Sequence, residues 1–138
     1  MGKGTMTDTF TPVMRALVVA TLLVASATVM LVAVNRARAA GALAIGTCGA
    51  YGEAYDYHSI KQASASARSK CKGKGCKVVA TVKHGCAAFA VDFANPCGGH
   101  GWGKASALGN AQNVALRSCY KDGGKECVIR TFFCDAKG

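Results

Sequence analysis

The chain has 138 residues, 17 of them Lys or Arg against 7 Asp or Glu, and 8 cysteines. That length leaves room for one ordinary domain and excludes a multidomain machine. A net charge of +10 with neutral histidines draws the protein toward anionic surfaces, but by itself this attraction selects no particular partner.

Residues 1–39 have the pattern of a secretory signal peptide. Ala16 to Val34 carries no charge, Gly or Pro; Lys3 and Arg15 precede it, and Ala37-Arg38-Ala39 supplies small residues at −3 and −1. Met6 and Met14 are alternative starts. Retention as a membrane anchor is the competing reading, because the apolar run almost suffices to cross a bilayer. Its Ala, Thr and Ser content and the cleavage box favour removal after Ala39, export by the general secretory route, and a periplasmic or secreted product without a membrane span. All cysteines lie beyond the leader, so 40–138 is expected to be a single disulfide-rich domain. A domain of this size buries only roughly two thirds of its unfolded surface, so covalent staples supplement a modest core.

The mature chain carries one pattern twice, over about 41–86 and about 87–134. Leu43-Ala44-Ile45 and Phe89-Ala90-Val91 are short apolar runs of strand type. The aromatic, Gly-rich segments after them, Tyr51 to Tyr57 and His100 to Lys104, suit twisted or bulged strands. Ile60, Ala63, Ala67 and Cys71 stand at helical spacing, and Leu108, Ala111, Ala115 and Cys119 repeat that spacing. Lys61, Ser64, Arg68 and Lys72 take the opposite face of the first helix, and Ser59 with Gln62 forms a capping-box signature at its start. Small alanines on each stripe would let the helix sit close to a sheet. Val78 to Val82 and Val128 to Phe133 are β-branched or aromatic and read as strands. The expected fold is α+β: two tandem strand–strand–helix–strand repeats in a mostly antiparallel sheet, with two helices on one face.

Cys71 closes a helix and Cys76 opens the next strand, and Cys119 and Cys127 hold the equivalent posts, so each pair can join within its copy. Cys48 with Cys97, and Cys86 with Cys134, occupy equivalent positions that an approximate two-fold axis would bring together. The alternative pairs Cys48 with Cys86 and Cys97 with Cys134. Zinc is disfavoured, because the Cys71–Cys76 and Cys119–Cys127 spacings exceed the usual knuckle and export favours disulfides.

Chemistry-bearing motifs are sparse. His58, His84 and His100 are available for acid–base work, yet no G-x-S-x-G or H-E-x-x-H string accompanies them. The glycines around Trp102 suggest a place where a ligand could approach the backbone beside His100. Lys70, Lys72, Lys74 and Lys77 crowd the short segment that contains Cys71 and Cys76, a candidate anion-binding feature. Tyr51, Tyr55, His100 and Trp102 fall in corresponding segments and form a candidate ligand surface, with core packing of the rings as the alternative. One Trp and no recognisable module argue against a specific nucleic-acid partner.

Gly41-Ala42-Leu43-Ala44-Ile45, Ala50-Tyr51-Gly52 before an Ala-rich helix, Cys76-Lys77-Val78-Val79, Cys86-Ala87-Ala88-Phe89-Ala90, Gly101-Trp102-Gly103 and Phe133-Cys134 follow one another in order. In this the chain resembles the exported bacterial family catalogued as domain of unknown function 4189. The resemblance spans nearly all of 41–135 and implies a compact cysteine-bearing domain behind a signal sequence. It implies no activity, cofactor or catalytic residue. The sequence therefore points to a non-enzymatic exported module, without cofactor or metal, that binds a partner in the cell envelope, the extracellular space or a host, such as an anionic envelope polymer or a protein. The alternatives are a protein inhibitor or immunity factor, and a small secreted hydrolase using His100 or His58.

Overall fold

The structure, a computed structural model, describes residues 39–135. Residues 1–38, on which most of the expected signal peptide falls, and residues 136–138 lie outside the described residues. Six strands and two helices follow the expected order: β1 (Ala40–Ile45), β2 (Tyr51–Tyr57), α1 (Ile60–Lys70), β3 (Lys77–Val82), β4 (Gly85–Asp92), β5 (His100–Ala105), α2 (Leu108–Lys121) and β6 (Cys127–Asp135). The strands form two antiparallel three-stranded sheets, β2-β1-β3 and β5-β4-β6, in place of a single sheet. Each half thus puts its first strand in the centre, its second and third at the edges, and its helix on its own sheet.

Alternation along the central strands explains this layering. Leu43 and Ile45 of β1, with Val82 of β3, pack with Ala87, Phe89 and Val91 of β4 and Phe133 of β6 in one buried cluster between the sheets. Ala42 and Ala44 point the other way, to Ala63 and Ala67 of α1. Ala88 and Ala90 likewise meet Ala111 and Ala115 of α2. Large side chains fill the space between sheets, about 10 Å in such packings, while alanines let the helices close on the outer faces. The result is four layers, helix–sheet–sheet–helix. β3 lies over β5 and β2 over β6.

Glycine makes the helix contacts closer still. A methyl group on Gly52 would lie 2.1 Å from the Ala67 carbonyl oxygen, and one on Gly101 would lie 2.3 Å from the Cys119 nitrogen. Ser59 caps α1, its Oγ accepting from the Gln62 N–H at 3.2 Å. The irregular strand expected after Cys48 is present: β2 slips register against β1 between Ala40 and Ala42, where Asp56 has a φ of 62°. The slip turns Tyr57 toward α1, and its hydroxyl donates to Ser66 at 2.8 Å.

Four disulfides join Cys48 to Cys97, Cys71 to Cys76, Cys86 to Cys134 and Cys119 to Cys127. This is the pairing expected above, with one correction to its rationale. The chain turns at Lys83-His84, so Cys86 belongs to β4 and stands directly opposite Cys134 of β6 within the second sheet. The halves hold three and five cysteines, and only Cys48–Cys97 crosses between them. A count of four cysteines per copy puts Cys86 on the wrong side of a turn that lacks proline.

Candidate functional site

β1 and β4 end at the same end of the sandwich, because the short turn after β3 feeds β4 directly. That end carries four connections: 46–50, 71–76, 93–99 and 122–126. Cys48–Cys97 clamps the first to the third.

The 71–76 connection is the lysine loop. Its base is closed by Cys71–Cys76, and its middle is pinned to the 46–50 turn. The Thr47 N–H donates to the Lys74 carbonyl at 3.0 Å, with the Thr47 hydroxyl at 3.3 Å from the same oxygen. Gly73 packs so closely on Ala50 that an added methyl would meet its Cβ at 2.3 Å, and Gly75 supplies the left-handed turn with φ 68°. The Lys70, Lys72, Lys74 and Lys77 side chains are all exposed. None has a carboxylate in ion-pairing distance among the described residues. Backbone and disulfide hold the loop while its charges face water.

The neighbouring 93–99 loop is organised by Asp92, which sequence reasoning did not single out. Its Oδ1 accepts from the Ala94 and Asn95 N–H groups at 3.0 and 3.3 Å, and its Oδ2 from Lys125 N–H at 2.8 Å. The Lys125 bond, opposed by burial and aided by the bonds from Asn95, Ala94 and Glu126, holds this carboxyl below the ordinary Asp range. Asp92-Phe93-Ala94-Asn95-Pro96 has Asx-turn composition, the signal from which this role could have been read.

His100 opens β5 at this end. Its Nδ1 lies 3.4 Å from Asp122 Oδ2, which also accepts from the His100 backbone N–H at 3.1 Å. His58 and His84 are exposed at the opposite end of the strands, so they share no site with His100. The space beside Gly101 and Gly103, expected to admit a ligand, is filled by the backbone of α2: added methyls would meet Cys119 N and Ala111 O at 2.3 and 2.4 Å. These glycines serve packing.

The four aromatic-surface residues divide between two sides of the sandwich. His100 and Trp102 are on edge strand β5, whereas Tyr51 and Tyr55 are on edge strand β2, which lies over β6. Tyr51 packs against Phe89 at 6.1 Å between ring centroids, and Tyr55 stacks on Phe133 at 6.0 Å. Between them Glu53 accepts a hydrogen bond from Thr131 of the other sheet. Phe89 also meets the His100 ring edge-on at 6.4 Å, so Tyr51 and His100 both pack on it from the two edge strands, while Tyr55 and Trp102 stay partly exposed.

Among the described residues no group of three or more His, Cys, Asp or Glu could hold a metal ion, and no helix is long and apolar enough to cross a membrane. Fold and staples define a small disulfide-bonded α+β sandwich with a basic loop at one end. The family model for the domain of unknown function DUF4189 matches residues 40–134, and the chain belongs to that family. Neither a curated protein nor a solved structure matches it.

Proposed function

We propose that this is an exported envelope module whose lysine loop binds an anionic polymer by charge, without catalysing a reaction. The observation that carries the reading is the loop itself: Lys72 and Lys74 exposed on a disulfide-closed segment, with Lys70 and Lys77 exposed at its two flanks, none neutralised by a carboxylate among the described residues. Rigidity matters because a preorganised cationic surface loses less freedom on binding than lysines on a mobile tail. Four disulfides fit an oxidising compartment, and cleavage after Ala39 would leave β1, which begins at Ala40, whole.

The test changes Lys72, Lys74 and Lys77 to Gln together and measures binding to anionic envelope polymer. The control is Lys104, Arg117 and Lys121 to Gln, equal charge removed from exposed sites of the other half. The loop variant should lose most of the binding and the control little. Equal loss in both would reduce the attraction to net charge and remove the loop from the account.

A second reading, hydrolysis with His100 as base, draws on Asp122 beside its ring. Ester or amide turnover abolished by His100→Ala would support it; a domain inert toward such substrates would dismiss it.

A further inference from the structure

The lysine loop is the end of a longer basic feature. Between Asp56 and Asp92 the chain carries Lys61, Arg68, Lys70, Lys72, Lys74, Lys77 and Lys83 and not one Asp or Glu. Asp56 and Asp92 fall at the ends of their strands, and Asp92 is buried and committed to backbone N–H groups. α1 begins at the end of the sandwich away from the loop and runs toward it. With Ala63 and Ala67 buried against the sheet, helical spacing puts Lys61, Ala65 and Arg68 on the outward side, and the chain leaves the helix through Cys71 to Lys72. All four are exposed, and the short Ala65 side chain leaves the space between the two helix cations open. Eleven residues at 1.5 Å each make α1 about 16 Å long, so the basic strip extends well beyond the loop.

Helix stability does not account for the whole strip. Arg68 and Lys70 in the last turn suit the helix dipole, but Lys61 stands in the first turn, where positive charge is unfavourable and where no acidic residue compensates. On the opposite outer face, α2 exposes Asn110, Asn113, Val114, Arg117, Tyr120 and Lys121, a mixed surface whose two cations lie toward its C-terminal end. Cations arranged in a line against the local electrostatics call for a partner whose negative charges are also arranged in a line.

We infer that α1 and the lysine loop form one continuous track that takes a linear polyanion with phosphate groups along its length, with Lys61 and Arg68 as contact residues beyond the loop. This rests on the anion-binding reading of the loop and adds its direction, extent and class of ligand. A single phosphate or short anion engages the loop alone, whereas a chain long enough to follow α1 reaches Arg68 and then Lys61.

The probe is inorganic polyphosphate, with tripolyphosphate as the short anion and a chain several times the length of α1 as the long one. Affinity is measured for the oxidised domain, for Lys61→Gln/Arg68→Gln, and for the triple Lys72, Lys74 and Lys77 to Gln variant. Melting curves confirm that all three fold. The track requires tighter binding of the long chain, weakened about three- to tenfold by the Lys61/Arg68 pair, with tripolyphosphate binding unchanged by that pair. Equal affinity of wild type and the Lys61/Arg68 variant for the long chain overturns the track and leaves the loop reading standing. Unchanged binding of both probes by the loop variant removes the loop reading and the track together. Anionic phosphatidylglycerol vesicles form the last arm: if the Lys61/Arg68 pair weakens vesicle binding and leaves long-chain binding intact, a membrane surface is the occupant and the polymer track is wrong.

Discussion

At the scale of single residues, the smallest side chains carry the tightest geometry. Gly52→Ala and Gly101→Ala would each drive a methyl into helix backbone, at 2.1 Å from Ala67 O and 2.3 Å from Cys119 N, and neither neighbour is a flexible side-chain tip. Each should cost about 3 kcal/mol in urea unfolding. Gly109→Ala, with nothing within 4 Å of the new methyl in α2, should instead be neutral or stabilise by up to about 1 kcal/mol. Comparable losses at all three would show that the helices are not pressed on the strands as described. Asp92 supplies a pH dependence. Backbone N–H donors, Lys125 first, hold its carboxyl below the ordinary Asp value, so the folded form binds a proton less readily than the unfolded chain. Its contribution is fully present above the unfolded pKa and is lost as pH falls through the lower folded value. The melting-temperature gap between wild type and Asp92→Asn should therefore be widest above about pH 5 and shrink in more acidic solution. A gap that grows with acid would contradict this assignment.

At the scale of elements, the disulfides should contribute unequally. In the chain-entropy model, a separation of 5 residues for Cys71–Cys76 corresponds to about 2 kcal/mol, and 49 for Cys48–Cys97 to about 4 kcal/mol. Cys-to-Ser pairs should follow that order in urea midpoint, and the reverse order would refute it. Much of this framework is legible in the sequence. The stripes Ala63–Ala67–Cys71 and Ala111–Ala115–Cys119 announce helices because only a 3.6-residue period brings them to one face, and equivalent posts after the first strands point Cys48 to Cys97. The separation into two sheets is not legible. β1 and β4 are buried on both faces, alanine on one and Leu43, Ile45, Phe89 or Val91 on the other, and an unbroken apolar run does not disclose what covers each side. The place of Cys86 is hidden for a related reason, since Lys83-His84 turns the chain with His84 at φ 54° and no proline marks it. Among the candidate site residues, the lysines can be read as a cluster because they are contiguous. The division of His100 and Trp102 from Tyr51 and Tyr55 depends on strand order, which local pattern leaves open.

At the scale of the molecule, a small core of Leu43, Ile45, Val82, Phe89, Val91 and Phe133 sits between sheets whose outer helices are applied through alanine and glycine. Phe89 is its largest fully buried side chain, and Phe89→Ala should cost about 3–5 kcal/mol. If the protein is exported as proposed, intact mass of the released form should give an N-terminus at Ala40 or within about two residues of it, the pattern small residues at −3 and −1 specify. A full-length chain in the membrane fraction would count against cleavage. The central claim is that a fixed set of loop lysines makes the anion contacts, and its most direct measurement is the salt dependence of binding. Each cation that meets a polyanion releases condensed counterions, so the logarithm of affinity for long polyphosphate should fall linearly with the logarithm of salt. Changing Lys72, Lys74 and Lys77 to Gln should make that slope shallower, while changing Lys104, Arg117 and Lys121 should leave it nearly as steep. A slope that is flat in the wild type, or that both triple variants reduce alike, would contradict the account.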